Sequence, residues 1–331
     1  MNESKANKTV LVTGANSGVG FEAAAQLAES GWGTVILACR TEEKARAAAA
    51  DLTQRVGKDV FATLAIDTSE VASAHGAADE LVARGAAIDG LVLNAGASGS
   101  QATYNSDGVE MTWASTLLGH HVLTMKLWQA GLLGAHARII IAGSEGARGN
   151  LPGSPVHPIE EISDTRFDGD MAEAIVQLSK TKVQDRFVNM SEYVTAKLVV
   201  AWWAAALAHE LPAGMTVNAV SPGSAPNSNF ARAGGLSMKL MMGMMKVFGP
   251  MMGMAGTLEA AGRRYVDALE LGDDDSGHFY ATAHPKKLVG PVARQETPKF
   301  FADRKGHAAA LEAMVRITKV GLPEQGAAAA Q

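Results

Sequence analysis

The segment Ser191–Lys197, SEYVTAK, places a tyrosine and a lysine four residues apart at the start of an apolar stretch. Side chains at this spacing share one face of a helix and lie close enough to interact. A positive charge beside a phenol favours the phenolate and lowers the pKa of the phenol. Tyr193 and Lys197 therefore fit an acid–base pair that works near neutral pH. The alternative is structural: a lysine that extends its stem along an apolar surface beside an ordinary amphipathic tyrosine.

A glycine-rich turn follows the first β-branched run of the chain, in the order Thr13-Gly-Ala-Asn-Ser-Gly-Val-Gly20. Glycine lets the backbone turn tightly and approach a ligand closely, and the N-terminus of the following helix attracts phosphate. Turns also need glycine for purely structural reasons. Because strand, turn and helix follow in that order, we expect a dinucleotide to bind here, at Gly14, Asn16, Ser17, Gly18, Val19 and Gly20.

The end of the second strand, Leu37-Ala-Cys-Arg40, discriminates between cofactors. It lacks the carboxylate that binds the ribose 2′-hydroxyl of NAD and repels the 2′-phosphate of NADP. Arg40 is instead placed to bind that phosphate, although it could also be an exposed arginine that opens the next helix. The pattern favours NADP(H), with NAD(H) as the alternative.

Short β-branched runs alternate with longer alanine-rich segments, which positions these motifs at the ends of strands. Strands are predicted at 8–13, 34–38, 60–66, 88–93, 137–142 and 215–220, with a further strand at 277–282 closing one edge. Helices are predicted near 18–30, 42–56, 70–84, 108–132, 191–211 and 257–270. This alternation indicates an α/β fold, a Rossmann-type doubly wound parallel sheet flanked by helices in a single domain over 1–331.

Composition limits the function classes. A net charge of -5 without a long Lys/Arg run gives no general attraction to nucleic acid. The single cysteine, Cys39, cannot form an internal disulfide, which fits a reducing compartment. We find no signal-peptide pattern, uninterrupted membrane span or metal-site pattern, and expect a cytoplasmic protein. Residues 321–331, rich in alanine and glycine, are expected to form a disordered tail.

The motifs together resemble the short-chain dehydrogenase/reductase superfamily in order and spacing. They are TGANSGVG, Asn94-Ala95-Gly96, Ser144, Tyr193-x-x-x-Lys197 and Pro222-Gly223. The resemblance covers a core at about 8–225. The segments ACRTEEKA and LLGHHVLT, with the long C-terminal part, resemble the branch that contains retinol dehydrogenases and protochlorophyllide reductase.

The resemblance implies a role for each motif. Tyr193 would exchange a proton with the substrate oxygen during hydride transfer, Lys197 would lower its pKa and hold the nicotinamide ribose, and Ser144 would bind the substrate carbonyl. Taken singly, Ser144 is more often a turn residue. Asp67 would accept from the adenine amino group, or would cap the next helix. The other implied cofactor contacts are Thr68, Asn94, Ala95, Gly96, Pro222 and Gly223.

One family residue is replaced. Many members have an asparagine that anchors a proton-relay water, in a pattern like FAVNHLGH, and Thr116 stands at that position here. The hydroxyl of threonine tends to bond a local carbonyl. The relay would then run through Ser115, Thr116 or water, or turnover would be slow.

Two segments depart from compact members. Ser144 and Tyr193 are 49 positions apart, and the extra segment, about 155–188, contains a candidate short helix near 171–180. Some relatives carry an insertion here that covers the face used for subunit pairing, so we expect a monomer or a homodimer of another kind. The second segment is the predicted lid, 224–256, where positions 236–254 hold eight of the chain's 15 methionines.

Methionine adapts to varied apolar shapes, so the lid predicts a bulky hydrophobic ketone or alcohol as substrate. A buried helical pair at a subunit interface and peripheral membrane contact are the alternatives for this segment. The leading function is an NADP-dependent oxidoreductase that interconverts a carbonyl and a secondary alcohol. Reduction of an activated C=C bond and a dinucleotide-binding sensor without turnover are the competing functions.

Overall fold

The computed structural model describes residues 5–151, 154–184, 186–224, 254–296 and 298–324. Its strands form one sheet in the order β3-β2-β1-β4-β5-β6-β7-β8, and all neighbours are parallel except β7 and β8. The strands are β1 Thr9–Thr13, β2 Thr34–Cys39, β3 Phe61–Ala65, β4 Ile88–Leu93, β5 Leu133–Ala142, β6 Thr216–Val220, β7 Phe279–Thr282 and β8 Val292–Arg294. The predicted Rossmann-type sheet is confirmed.

The prediction for the edge strand was wrong in one respect. The segment predicted at 277–282 corresponds to β7, which pairs in parallel with β6 and is not at the edge. The edge is β8, which pairs antiparallel with β7. A three-residue strand is too short to show the alternation that identifies strands in a sequence.

Helices flank both faces of this sheet. In the described residues they are α1 Gly18–Glu29, α2 Glu42–Val56, α3 Val71–Arg84, α4, α5 Ile159–Arg166, α6 Met171–Ser179, α7 Asn189–Glu210, α8 Leu258–Ala268 and α9 Arg304–Thr318. Helix α4 consists of three consecutive segments: Met111–Trp113, a π-helical turn Ala114–Leu118, and Gly119–Gln129. The helix expected near 171–180 is α6, whereas α5 and α9 were not predicted.

Local signals explain where several helices begin and end. The Thr41 hydroxyl accepts from the Lys44 N–H at 3.3 Å and caps the N-terminus of α2. Gly57, at φ 71°, ends the same helix in the left-handed conformation, and Gly85, at φ 67°, ends α3. These caps fix the lengths of the crossovers that return the chain to the next parallel strand.

The core has two parts, one on each face of the sheet. Val10 and Val12 pack with α1, α2 and α8, whereas Leu11 packs on the opposite face with α3, α4, α7 and α9. Successive side chains of a strand point to opposite faces, so strands buried on both sides need continuous apolar runs. This requirement explains the β-branched runs that predicted the strands.

The outer face of α7 is covered by other elements of the same chain. The Trp202 indole of α7 donates to the Phe300 carbonyl at 2.7 Å, and a Cβ on Gly306 of α9 would lie 2.7 Å from that ring. Arg316 of α9 in turn pairs with Asp170, just before α6, at 2.8 Å. Helices α6, α7 and α9 therefore form one packed layer.

Parts of three predictions lie outside the described residues: most of the lid (225–253), the tail from 325 onward, and positions 152, 153 and 185 around the insertion. Among the described helices, none combines the length and the apolar character that crossing a bilayer requires.

Candidate active site

The carboxyl ends of six neighbouring strands bring the predicted site residues to one edge of the sheet. The register pairs Thr13 with Ala38, Leu93 with Ile141, and Ala142 with Val220. The segments that follow these strands are therefore neighbours, although they are far apart in the sequence. In an open parallel sheet this edge is where ligands bind.

The glycine turn leaves space that a side chain would fill. A Cβ on Gly20 would lie 2.5 Å from Asn94 Nδ2 and 2.7 Å from the Gly14 carbonyl oxygen. Gly14 and Gly18 have φ of 67° and 61°, which favours glycine. Ser17 precedes α1 in extended conformation, and within the described chain its side chain makes no capping bond. The first N–H groups of α1 are thus left to bind a phosphate, so the turn fits a dinucleotide.

Asn94 and Ala95 join the ends of β4 and β1. Asn94 Nδ2 donates to the Thr13 carbonyl at 2.9 Å, and the Ala95 N–H donates to the Thr13 hydroxyl at 2.9 Å. The family resemblance implies that this asparagine braces the sheet, and the bond from Asn94 to Thr13 is of the kind that such a role requires. They hold the Asn-Ala-Gly segment against the glycine turn.

Arg40 and Asp67 lie together after β2 and β3. Arg40 is exposed, and its Nε lies 3.3 Å from Asp67 Oδ2. Asp67 Oδ1 accepts from the Ser69 N–H at 3.0 Å and from its hydroxyl at 2.6 Å. Helix α3 begins after Glu70, three residues further along, so the alternative of Asp67 as the helix cap was wrong. The guanidinium remains accessible to a phosphate on a ribose bound nearby.

Thr68 has a structural partner. Its hydroxyl donates to the Ser115 carbonyl at 3.0 Å, and its own carbonyl accepts from the Gly119 N–H at 2.9 Å. Both bonds join the segment after β3 to α4, one to its π-helical turn and one to the residue that follows that turn. The Thr68 hydroxyl and carbonyl therefore position α4.

Ser144, Tyr193 and Lys197 meet between β5 and α7. Lys197 is 5% exposed and its Nζ donates to the Ala142 carbonyl at 2.6 Å. The same Nζ lies 6.0 Å from the centroid of the half-buried Tyr193 ring. Ser144 hydrogen-bonds the Tyr193 phenol, and its Oγ accepts from the Gly146 N–H at 3.1 Å. The three predicted side chains thus form one cluster.

The protonation of this cluster differs from the expectation. Burial raises the pKa of Tyr193 to about 12, a hydrogen bond from Ser144 opposes the shift, and the Glu145 carboxylate adds to it. Burial also lowers the pKa of Lys197 to about 7. The expected lowering of the Tyr193 pKa by Lys197 is not produced by the chain alone, because burial disfavours the charged form of both groups.

Thr116 and Ser115, the candidate relay residues, lie in the π-helical turn of α4. The Thr116 carbonyl accepts from His120 Nδ1 at 2.9 Å. The Thr116 hydroxyl lies close to Gly96, 3.4 Å from the position that a Cβ on this glycine would take. The Ser115 hydroxyl donates to the Met111 carbonyl at 2.6 Å and accepts from the Ala97 N–H at 3.1 Å. Ser115 is therefore a structural link, which leaves Thr116 or water for a relay.

His120 was not predicted as a site residue, although it lies in the LLGHHVLT stretch. It is buried, and desolvation lowers its pKa to about 3, so the ring is neutral. Nδ1 donates to the Thr116 carbonyl, and Nε2 therefore accepts from the Thr13 hydroxyl at 2.9 Å. The ring joins α4 to the start of the glycine turn.

The Pro222-Gly223 turn closes the opposite end of the site. Gly223 has φ 78°, and a Cβ there would lie 2.7 Å from the Leu288 carbonyl and 3.0 Å from Arg264 Nη1. The Gly223 N–H donates to the Ser221 hydroxyl at 3.1 Å. The partly buried Arg264 and its buried partner Glu145 were not identified from the sequence, because residue type alone gives no sign of burial.

A family model described as short chain dehydrogenase matches residues 8–158. The WW domain-containing oxidoreductase of Homo sapiens is 32% identical over 227 residues, which cover 68% of this chain and 51% of that protein. Retinol dehydrogenase 13 of Mus musculus is 32% identical over 219 residues, 66% of this chain and 58% of that protein. The chain belongs to the short-chain dehydrogenase family. It spans little more than half the length of these curated relatives.

Solved structures agree on the fold. A protein from Mycobacterium Paratuberculosis matches with TM-score 0.69 at 22% identity, covering 97% of both chains. A short-chain dehydrogenase from Burkholderia cenocepacia J2315, in complex with NADP, matches with TM-score 0.57 at 23% identity, covering 82% of this chain and 95% of that chain. The match to retinol dehydrogenase 13 confirms the predicted resemblance to the retinol dehydrogenase branch.

The inserted segment contacts the start of the α7 helix. Glu192, adjacent to Tyr193, is fully buried and accepts from Trp113 Nε1 at 3.2 Å. Its carboxylate also lies 3.0 Å from His157 Nε2 and accepts from Gln184 Nε2 at 3.0 Å. His157 and Gln184 belong to the segment at 155–188. The insertion thus fixes the helix that carries the tyrosine.

A second buried carboxyl group, that of Glu110, lies in the same part of the chain. Burial raises the pKa of Glu110 to about 7, and the nearby charge of Glu192 contributes to the shift. Its oxygens accept from the Thr112 N–H at 2.9 Å and from the Thr112 hydroxyl at 3.2 Å. These bonds begin α4, so the two buried carboxyl groups hold the starts of α4 and α7.

Proposed function

We propose that the protein is an NADP(H)-dependent oxidoreductase that interconverts a carbonyl and a secondary alcohol on a bulky hydrophobic substrate. The observation that carries this proposal is the placement of Ser144, Tyr193 and Lys197 in one cluster, at the same sheet edge as the glycine turn. A dinucleotide held by that turn and a substrate oxygen held by Ser144 and Tyr193 would meet at this edge.

Each side chain of the cluster has a defined task. When bound at the glycine turn, NADPH would supply the hydride for the carbonyl carbon in reduction, and NADP⁺ would accept hydride in oxidation. Tyr193 donates its proton to the carbonyl oxygen in reduction and takes the alcohol proton in oxidation. The Ser144 hydroxyl donates to the same oxygen as negative charge develops there. Lys197 would exchange its bond to the Ala142 carbonyl for one to the nicotinamide ribose.

Tyr193 carries its proton at neutral pH in the free chain, because burial raises its pKa to about 12. The protonated phenol can donate to a carbonyl oxygen, as reduction requires, whereas oxidation requires the phenolate.

The lid assignment rests on the sequence, because most of the lid lies outside the described residues. Its methionines support an apolar substrate of adaptable shape. The test is NADPH oxidation by the purified protein across hydrophobic ketones, quinones and enones, with product analysis for the enones. Turnover of ketones supports the proposal, reduction of only the C=C bond favours the second enzymatic function, and tight NADPH binding without turnover on any class favours a sensor.

Arg40→Ala is expected to weaken NADPH binding by about 10- to 100-fold and to leave NADH binding nearly unchanged. A charge-assisted hydrogen bond contributes about 1.5–3 kcal/mol, and only NADPH carries the 2′-phosphate that would use it. Support comes from the exposed guanidinium beside Asp67 and from the NADP complex of the Burkholderia relative. The measurement is a fluorescence titration with both cofactors. Arg46→Ala, an exposed arginine on α2, is the matched control. An equal loss for both cofactors would contradict the assignment.

We also propose that the protein is a monomer or pairs through a surface other than the outer face of α7. Support comes from α9, which packs over that face within the chain, and from α6, which packs against α9. A stable tetramer in sedimentation velocity would refute the idea.

A further inference from the structure

Glu145 is a buried carboxylate that directly follows Ser144. It is 4% exposed, and four donors from other segments surround it. Its Oε2 accepts from the Ser221 hydroxyl. Its Oε1 accepts from the Thr282 N–H at 3.2 Å, the Thr282 hydroxyl at 2.9 Å and Arg264 Nη1 at 3.2 Å. A carboxylate so buried is tolerated because each oxygen is hydrogen-bonded and a cation lies beside it.

Arg264 of α8 is the cation of this pair, and its side chain is 9% exposed. Nη1 also donates to the Ser221 carbonyl at 3.0 Å, and Nη2 donates to the Thr282 hydroxyl at 2.9 Å and the Gly290 carbonyl at 3.1 Å. These partners lie after β6, at the end of β7 and before β8. The pair therefore connects the Ser144 turn with Ser221, which precedes the Pro222-Gly223 turn, and with the segment between β7 and β8.

The pair also acts on the phenol through its charge. The titratable groups that bear on Tyr193 are Glu145 from the turn after β5, the buried Tyr265 from α8 and Lys197 from α7 itself. The cation Arg148 also interacts with Glu145, whereas His120, near Lys197, is neutral and adds no charge. Glu145 disfavours the phenolate, and Arg264 partly neutralises the Glu145 carboxylate, which lies 3.2 Å from its Nη1.

We propose that Glu145 and Arg264 are a positioning pair for the reaction: they hold the Ser144 turn against the Pro222-Gly223 turn, and their opposing charges set the electrostatic balance at the Tyr193 phenol. The inference rests on the proposed role of Tyr193 as proton donor. A pair that only linked the segments would lower activity when either member is replaced, without moving the pH dependence in opposite directions.

The test is the pH dependence of kcat/KM for alcohol oxidation with NADP⁺ in Glu145→Gln and Arg264→Gln. Oxidation requires the phenolate, and the positive charge of bound NADP⁺ favours it, so the rate falls as the pH drops through the pKa of Tyr193 in this complex. Glu145→Gln removes the negative charge, and this acid limb is expected to move about one pH unit lower. Arg264→Gln leaves the carboxylate without its main cation, and the limb is expected to move higher. The double variant should return the limb close to the wild-type position.

Three variants separate charge from packing. Glu145→Asp and Arg264→Lys keep the charges, so both should retain the wild-type limb. Thr282→Val removes a hydroxyl bonded to both members without changing charge, so it should leave the limb in place whatever it does to the rate. Shifts of both charge variants in the same direction, or no shift in either, would overturn the inference.

A second readout does not depend on turnover. Ultraviolet difference titration of each variant with NADP⁺ bound, against the same variant carrying Tyr193→Phe, isolates the ionisation of Tyr193 from the other three tyrosines. Opposite shifts of the Tyr193 pKa in this titration support the role of Glu145 and Arg264, whatever the activity of Tyr193→Phe. Full activity of Tyr193→Phe would refute the proposed function. An unchanged titration together with inactive Tyr193→Phe would refute the pair and leave the proposed function standing.

Discussion

Tyr193→Phe is expected to lower kcat/KM for carbonyl reduction by about 10²- to 10⁴-fold, the usual contribution of a positioned general acid. Phenylalanine keeps the ring and its packing 6.0 Å from Lys197 Nζ and removes only the hydroxyl that Ser144 binds. The substrate oxygen would then have to take its proton from water. Cofactor affinity should change little, because the glycine turn and Lys197 are intact.

The measurement is steady-state NADPH oxidation with the best ketone from the substrate panel, together with an NADPH titration of the same sample. Tyr280→Phe is the matched control. This change also removes one phenol hydroxyl. The Tyr280 hydroxyl donates to Asp275 at 2.9 Å, and Asp275 precedes β7, at the amino-terminal ends of the parallel strands and away from the site. Retention of near wild-type turnover in Tyr193→Phe, with Tyr280→Phe equally active, would show that the proton comes from another group.

Much of this site could be predicted from the sequence because its parts lie at strand ends. A buried parallel strand needs a continuous apolar run, which identifies the strand, and the residue after the run then lies at the ligand edge. Gly14, Asn94 and Ser144 were located in this way. The spacing of Tyr193 and Lys197 is a helical period, so their common face was also predictable.

The residues that the sequence did not reveal depend on contacts between distant segments. Glu145 and Arg264 are separated by 119 positions, and only the order of β5, β6 and β7 in the sheet brings them together. An isolated glutamate or arginine reads as a surface residue, since burial is decided by packing. The same holds for Glu192, whose partner His157 lies in the insertion.

Helix α9 was missed for a related reason. Its buried positions include Ala309, Ala310 and Ala313, and alanine gives little apolar contrast against its neighbours. The neutral ring of His120 was equally hidden, because its protonation and tautomer follow from burial and from its two partners. Sequence patterns thus located the groups proposed for the chemistry, whereas the contacts that hold those groups had to come from the structure.

Gly20→Ala is expected to weaken NADPH binding by about 5- to 150-fold. The added Cβ would lie 2.5 Å from Asn94 Nδ2 and 2.7 Å from the Gly14 carbonyl oxygen, closer than real contacts allow. Asn94 cannot move away without losing its bond to the Thr13 carbonyl at 2.9 Å. The turn must therefore shift, and overpacking of this kind costs about 1–3 kcal/mol. If the strain is present in the NADPH-bound conformation, this cost converts to the stated loss of affinity.

The matched control is Gly76→Ala in α3, where an added Cβ meets nothing within 4 Å. That change should stabilise the fold by about 0.5–1 kcal/mol, because alanine is the better helix former, and should leave binding unchanged. NADPH titration and urea unfolding of both variants give the two quantities. If Gly20→Ala loses more free energy of NADPH binding than free energy of unfolding, the strain lies in the cofactor-binding turn. Wild-type NADPH affinity in Gly20→Ala would contradict the prediction. It would mean that the turn can shift without loss of binding free energy, so phosphate binding does not depend on the close approach of Gly14, Gly20 and Asn94.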